Sequence, residues 1–145
     1  MALRLVVGVD GSATSERALS HAKRLAKLVP DSELVLVYVI EWSPFKFQTA
    51  EENAERHKRR NEEIDTARTR VVDPAVKALE AEGFSVRGLV RHGKVAHLLN
   101  SVALEENADQ IIVGRISADT MTERMFGTAT ANLVMGASVP VTVVT

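Results

Sequence analysis

Residues 3–12 read LRLVVGVDGS, a short and almost unbroken apolar run that ends in a polar turn. Such a run is typical of a strand that is buried on both faces, as in parallel sheets. From Ser12, a good helix N-cap, apolar residues recur with the spacing of one helical face until Pro30-Asp31. The chain is therefore predicted to begin with a strand and a helix.

The alternation of strand and helix signals continues to the C-terminus. Buried strands are predicted over residues 33–40 (ELVLVYVI) and 110–113 (QIIV), and a further strand over residues 141–144. A more polar strand, nearer the sheet edge, is predicted over residues 84–91. Strands that alternate with helices imply right-handed crossovers. We therefore expect a single α/β domain over residues 1–145, with an open five-stranded parallel sheet and helices on both faces.

A densely charged segment, residues 51–82, separates the second and third strands. Glu52 precedes Arg56 by four residues, the favourable order for an ion pair on a helix. The apolar stripe appears only from Ile64 onward, so the early part of this helix should stand away from the core, and Pro74 predicts a kink or a restart. We interpret the charges as a solvated helix surface, with a partner-docking surface as the alternative.

The composition limits the class of function. Eighteen basic and nineteen acidic residues give a net charge of −1, which argues against a surface devoted to nucleic acid or to an anionic membrane. The absence of cysteine excludes a disulfide framework and a thiolate metal site and fits a cytoplasmic protein. No signal peptide is evident, and no run approaches the roughly 20 apolar residues of a membrane span, so no membrane insertion is expected.

In an open parallel sheet, ligands bind beyond the carboxyl ends of the strands, where the strand order reverses. The loop Asp10-Gly11-Ser12 has two interpretations: a carboxylate aimed at a ribose hydroxyl, or a plain turn whose serine caps the next helix. Gly114, directly after a strand, and Gly127-Thr128, as the start of the last helix, could together hold a phosphate. The alternative is that these glycines only end a strand and start a helix.

Catalytic signatures are missing from the sequence. It contains no GxGxxG, P-loop, HExxH or GxSxG motif, and its four histidines lack metal-ligand spacing. His92 could contact a ligand or act as a base, but an ordinary loop histidine is favoured. Asp10 and Asp119 are the only candidate metal-binding carboxylates for phosphoryl transfer. The sequence therefore favours a binding or regulatory module over an enzyme.

The chain as a whole resembles the universal stress protein family. The match rests on residues 6–12 (VVGVDGS) followed by Ala18-Leu19, residues 36–40 (LVYVI), residues 108–114 (ADQIIVG), Gly127-Thr128, and residues 139–144 (VPVTVV). The resemblance implies a Rossmann-like fold of the adenine nucleotide alpha hydrolase-like type. It also implies ATP or AMP as ligand, with Mg²⁺ or Mn²⁺ as a possible companion ion, a role in the stress response, and a homodimer formed through the C-terminal strand, Pro140 to Thr145.

The phosphate segment of ATP-binding members reads Gly, two residues, Gly, nine residues, Gly and Ser or Thr. This chain has Gly114, Ser117, Gly127 and Thr128 at those positions, so that a serine replaces the second glycine. Serine keeps its backbone N–H, but its Cβ limits positive φ and close approach to a ligand. Arg115 or Arg124 could compensate through a charge-assisted contact to phosphate, or both could be solvated loop arginines.

The resemblance assigns a role to each matching residue. Val9 and Val39 would line the adenine pocket, and Asp10 would hydrogen-bond the nucleoside. The residues around ribose and phosphates would be Val113, Gly114, Arg115, Ser117, Gly127, Thr128 and Ala129. Three functions follow, in order of preference: a regulatory sensor of ATP or AMP, a homodimeric stress adaptor that binds no nucleotide, and a slow ATPase.

Overall fold

Five parallel strands form one sheet in the computed structural model, which describes residues 2–41, 50–115 and 121–145, without the side chains of Asn53 and residues 121–128. The strands are β1 (Arg4–Gly8), β2 (Glu33–Ile40), β3 (Ser85–His92), β4 (Gln110–Gly114) and β5 (Val141–Val144). The helices are α1 (Ala13–Leu28), α2 (Ala50–Ala67), α3 (Asp73–Ala81), α4 (Val95–Glu105) and α5 (Met121–Gly136), with a π-helical turn at Arg68–Val72. The predicted fold class is confirmed.

The strand order is β3-β2-β1-β4-β5, and every neighbouring pair is parallel. The chain builds outward from β1 to β3 on one side and then crosses over to place β4 and β5 on the other side. The order therefore reverses between β1 and β4. The polar third strand lies at a sheet edge, as its alternating pattern predicts.

Apolar side chains form a layer on each face of the sheet, because successive strand residues point to opposite sides. One layer packs against α1 and α3 and includes Leu5, Val7, Leu34, Leu36 and Ile112 with Ala18, Ala22 and Leu79. The other packs against α4 and α5 and includes Val6, Val35, Val37 and Ile111 with Leu99, Val102 and Leu133. This double burial explains the unbroken apolar runs of the central strands.

The charged segment folds as α2, the π-helical turn and α3. The predicted exposure of its early part is confirmed, since no described side chain of residues 51–66 is buried. The predicted break before Pro74 is the π-helical turn, where the N–H of Asp73 donates to the carbonyl of Arg68. Proline has no N–H for the regular helical bond to the residue four before it, which favours this local change of winding. The turn buries Val72 completely against the sheet.

The last helix begins earlier than the sequence predicted. α5 starts at Met121, so that Gly127 and Thr128 lie inside the helix and not at its N-terminus. Residues 121–126 (MTERMF) contain Met, Glu and Arg, which are good helix formers, and no proline or glycine. The prediction treated Gly127 as a start signal, and it was wrong on that point. Ser117, Asp119 and residues 42–49 lie outside the described residues.

An ionic network joins the amino ends of the strands, opposite the expected ligand side. Glu33 of β2 accepts hydrogen bonds from Arg4 of β1 at 3.2 Å and from Arg87 of β3 at 3.0 Å. Arg87 also pairs with Glu106, which follows α4. These contacts connect β1, β2, β3 and the end of α4, and the two arginine side chains are half-exposed.

Candidate functional site

A cleft opens at the carboxyl ends of β1, β2 and β4, where the strand order reverses. The lining residues are Gly8, Val9, Asp10, Ser12, Thr14, Ser15, Val37, Val39, Val95, Leu99, Val113 and Gly114. This is the place where open α/β sheets bind ligands.

The cleft brings together five of the ten residues that the resemblance assigns to the ligand: Val9, Asp10, Val39, Val113 and Gly114. Arg115 follows β4 directly, is exposed, and donates its backbone N–H to the carbonyl of Val144 on β5. Ala129 is buried within α5, in the apolar layer on the α4 side of the sheet. Gly127 and Thr128 also belong to α5, and Ser117 lies outside the described residues.

Hydrogen bonds fix the loop after β1. Gly11 has a φ of +82°, a left-handed conformation that glycine adopts without strain, and it turns the chain into α1. Oδ1 of Asp10 accepts the N–H of Ser12 at 2.9 Å, and Oγ of Ser12 accepts the N–H of Ser15 at 3.2 Å. The predicted helix cap at Ser12 is therefore confirmed. Oδ2 of Asp10 has no hydrogen-bond partner among the described residues and remains an available acceptor.

Two glycines shape the walls of the cleft. A Cβ on Gly8 would lie 3.2 Å from Cγ1 of Val113 and 3.4 Å from Cδ1 of Leu99, in the space that the cleft uses. A Cβ on Gly114 would collide with the carbonyl oxygen of Thr14, because the end of β4 passes close to the first turn of α1. The absence of side chains here lets β1, β4 and α1 converge around one opening.

The cleft combines an apolar wall with a single charged group. Of the described residues that line it, only Asp10 is charged. Burial, and to a smaller extent the charge of Asp10, raises the pKa of Tyr38, but this side chain lies on the opposite face of β2 and lines a separate pocket beside α2. A neutral apolar wall beside one acceptor suits a flat apolar group that carries a hydrogen-bond donor.

A divalent ion would find few ligands here. The described residues contain no group of three histidine, cysteine, aspartate or glutamate side chains that could hold a metal. Asp10 could supply one carboxylate, which fits Mg²⁺ bound mainly through ligand phosphates and water. His92 lies elsewhere: its Nε2 is 3.2 Å from Oε2 of Glu63 on α2, and its side chain is 10% exposed. His92 is the last residue of β3, so its predicted position in a loop was wrong, and it does not line the cleft.

Several lining residues were not identified from the sequence as site residues. Ser15 and Thr14 stand in the first turn of α1, and Val95 and Leu99 stand on α4. Val95 and Leu99 also belong to the apolar layer on this face of the sheet. Ser15 did carry a signal, since it occupies a position on the apolar face of α1, between Ser12 and Ala18, where an apolar residue is expected.

The chain was compared with known proteins at the level of family, sequence and structure. The comparison with curated proteins gave no match. The universal stress protein UspA from Lactobacillus plantarum is 18% identical, with 99% of this chain and 97% of that chain covered and a TM-score of 0.78. A hypothetical protein whose biochemical function was assigned from its structure is 26% identical, with 98% and 94% covered and a TM-score of 0.75.

A third solved structure, a universal stress protein in complex with cAMP, is 22% identical, with 98% of this chain and 95% of that chain covered and a TM-score of 0.65. In the described part of the chain, no helix has the length and apolar character needed to span a membrane. The model of the universal stress protein family, Usp, matches residues 1–145. The chain therefore belongs to the universal stress protein family.

Proposed function

We propose that this protein binds an adenine nucleotide, ATP or AMP, in the cleft at the ends of β1, β2 and β4, and that it acts as a cytoplasmic regulatory module in the stress response. The observation that carries the proposal is the carboxylate of Asp10. It is held by its own loop at the mouth of an apolar cleft, and Oδ2 has no hydrogen-bond partner among the described residues.

The nucleoside end of the ligand fits this arrangement. Val9 and Val39 offer apolar contact to a purine ring. Asp10 offers an acceptor to the amino group at position 6 of adenine or to a ribose hydroxyl, since an ionised carboxylate only accepts hydrogen bonds. A carbonyl at position 6, as in guanine or hypoxanthine, is itself an acceptor and would face the carboxylate unpaired. With the amino group as the donor to Asp10, adenine is the base that the cleft favours.

Solved relatives support the choice of ligand class. Besides the structure with cAMP, structural neighbours include a universal stress protein from Archaeoglobus fulgidus in complex with dAMP and a family protein from Arabidopsis thaliana with AMP bound. All three ligands share the adenine base and differ in sugar and phosphate. We place this common part at the end of the cleft where Asp10 lies.

The phosphates would extend from Gly114 toward Arg115, Ser117 and the residues Gly127, Thr128 and Ala129 that the family pattern assigns to them. A Mg²⁺ or Mn²⁺ ion would accompany ATP through its phosphate oxygens. Asp10 is the only described lining residue whose side chain is a usual general base, and we place it at the nucleoside end of the ligand, away from the phosphates. Binding with slow or no hydrolysis is therefore the activity we propose.

In a homodimer formed through β5, nucleotide binding could change the contact between the two subunits. β5 is an edge strand, all four of its residues are half-buried, and residues 140–145 carry no charged side chain. An uncharged apolar edge is a ready surface for pairing with a second copy. Because β4, which lines the cleft, pairs directly with β5, a ligand at Gly114 lies one strand away from the proposed dimer edge.

Titration calorimetry with AMP and with ATP tests the proposal. We expect binding by the wild-type protein and at least tenfold weaker binding by Asp10→Asn, which keeps the shape but loses the charge. Asp31→Asn, at an exposed turn after α1, is the matched control and should bind like the wild type. The competing function is a homodimeric adaptor without nucleotide, which Ser117 in place of glycine favours. An absence of heat with both nucleotides, together with an intact dimer, would establish the adaptor.

A further inference from the structure

Ser15 breaks the pattern of the helix that contains it. The buried face of α1 consists of Ser15, Ala18, Leu19, Ala22 and Ala26, and only the first of these is polar. Among the described residues, Ser15 is the only polar or charged residue that is buried, with 6% of its surface exposed. A hydroxyl in such a place destabilises the fold unless it forms hydrogen bonds, so its partner indicates its role.

That partner is the backbone of Asp10. The N–H of Val9 still bonds to the sheet, donating to the carbonyl of Val37 at 2.9 Å. The next amide, that of Asp10, lies beyond the end of β1 and donates to Oγ of Ser15 at 3.0 Å. The serine thus supplies the acceptor that a neighbouring strand no longer provides.

The contacts form a closed ring of three residues. Ser15 accepts from Asp10, Asp10 accepts from Ser12, and Ser12 accepts from Ser15. In this ring the backbone N–H of Asp10 donates to Ser15 in α1, and the carboxylate of Asp10 accepts from the backbone of Ser12 in the following turn. Loss of the Ser15 hydroxyl would leave a partly buried N–H unpaired, and the loop would have to turn to satisfy it.

We infer that Ser15 is a positioning residue that holds the Asp10 carboxylate where it selects a base with an amino donor. The inference rests on the proposed nucleotide site and adds the residue that sets its specificity. Ser15 acts through Asp10. A shift of about 1 Å in an acceptor is enough to lose a directional hydrogen bond while nonspecific contacts to the ring remain.

The test compares AMP with IMP, which carries a carbonyl in place of the 6-amino group. The wild-type protein should bind AMP more tightly. Ser15→Ala should weaken AMP binding about tenfold and leave IMP binding nearly unchanged, so that the preference collapses. Ser15→Thr keeps the hydroxyl and should keep the preference. Ala26→Gly destabilises the same buried face of α1 far from the cleft and should also leave the preference intact.

The outcomes separate this inference from the proposed function. If the wild type binds neither nucleotide, the proposed function fails and the inference with it. If the wild type prefers AMP and Asp10→Asn loses that preference while Ser15→Ala retains it, only the role of Ser15 is overturned. Should Ser15→Ala not fold, Ser15→Thr decides, because a folded threonine variant without the preference contradicts the inference.

A second readout needs no nucleotide. The amide proton of Asp10 should exchange slowly with solvent in the wild-type protein and in Ser15→Thr, because Oγ accepts it. In Ser15→Ala it should exchange faster, while the amide of Val9, which bonds to β2, keeps its protection. Unchanged protection of the Asp10 amide in Ser15→Ala would overturn the inference, whatever the binding data show.

Discussion

Replacing Gly114 by alanine tests the close approach of β4 to α1 that shapes the cleft. The added Cβ would lie 2.7 Å from the carbonyl carbon of Thr14 and 3.0 Å from its Cβ, and nearer still to its carbonyl oxygen. The obstacle is the main chain of a capped helix and not the end of a flexible side chain. The first turn of α1 and the end of β4 must therefore move apart.

Overpacking of this kind costs about 1–3 kcal/mol, and a backbone obstacle places Gly114→Ala in the upper half of that range. With a urea m value of about 2 kcal/mol/M, a loss of about 2 kcal/mol lowers the unfolding midpoint by about 1 M. The assay is equilibrium unfolding in urea, followed by AMP titration of the folded variant. Because the mouth of the cleft is displaced, AMP binding should weaken at least tenfold.

Gly136→Ala is the matched control. Gly136 is the last residue of α5, and a Cβ there meets nothing within 4 Å. Each variant replaces one glycine by alanine and so reduces the conformational entropy of the unfolded chain by the same amount. The difference between their unfolding midpoints therefore measures the effect of the clash at residue 114. A midpoint for Gly114→Ala equal to that of Gly136→Ala would refute the close approach and the account of the cleft built on it.

Three further predictions concern other parts of the molecule. Tyr38 is the only tyrosine, so tyrosinate absorbance should report a pKa above the ordinary 10.0, and Asp10→Asn should lower it without returning it to that value. Because folding raises the pKa of Tyr38, the free energy of unfolding should fall as the pH rises from 10.0 through the pKa of the folded state. Tyr38→Phe should make this fall at alkaline pH smaller. Glu33→Gln should cost about 1 kcal/mol in low salt and less in high salt, as measured by urea unfolding, because its two arginine partners are half-exposed. Val143→Glu should convert the proposed dimer to monomer in light scattering, and an intact dimer would show that β5 is not the pairing edge.

Strand positions followed from local sequence because central parallel strands are buried on both faces. The apolar run at residues 33–40 coincides with β2. The first apolar run covers residues 3–9, and β1 is one residue shorter than this run at each end. The π-helical turn was not predictable in the same way. Pro74 signals a break, but the geometry of the break depends on Val72, whose side chain fills the space above Gly88 of β3. Val72 and Gly88 are far apart in the sequence, so a local sequence pattern cannot show that they are in contact.

The site was predictable where it follows from topology. Asp10 follows β1 and Gly114 ends the neighbouring strand β4, so the rule for open α/β sheets predicts both of them near the ligand. Ser15 and Leu99 were missed because helical periodicity separates a core face from a solvent face and does not show which end of that face borders a cleft. A polar residue on an apolar face is the local signal to use in such cases.

The nucleoside end of the proposed nucleotide site has its binding groups in position, and the phosphate end does not. At the nucleoside end, Asp10 already has its position, and the apolar walls are in place. At the phosphate end, Gly127 and Thr128 lie inside α5, where backbone N–H groups bond to carbonyls of the preceding turn and only the first four of a helix are free. For these two residues to donate to a phosphate, α5 would have to begin at Gly127, and the loss of its first turns would oppose phosphate binding. Recognition at this cleft should therefore depend first on the base, and the phosphates should add less affinity than they do where a helix N-terminus is ready to receive them.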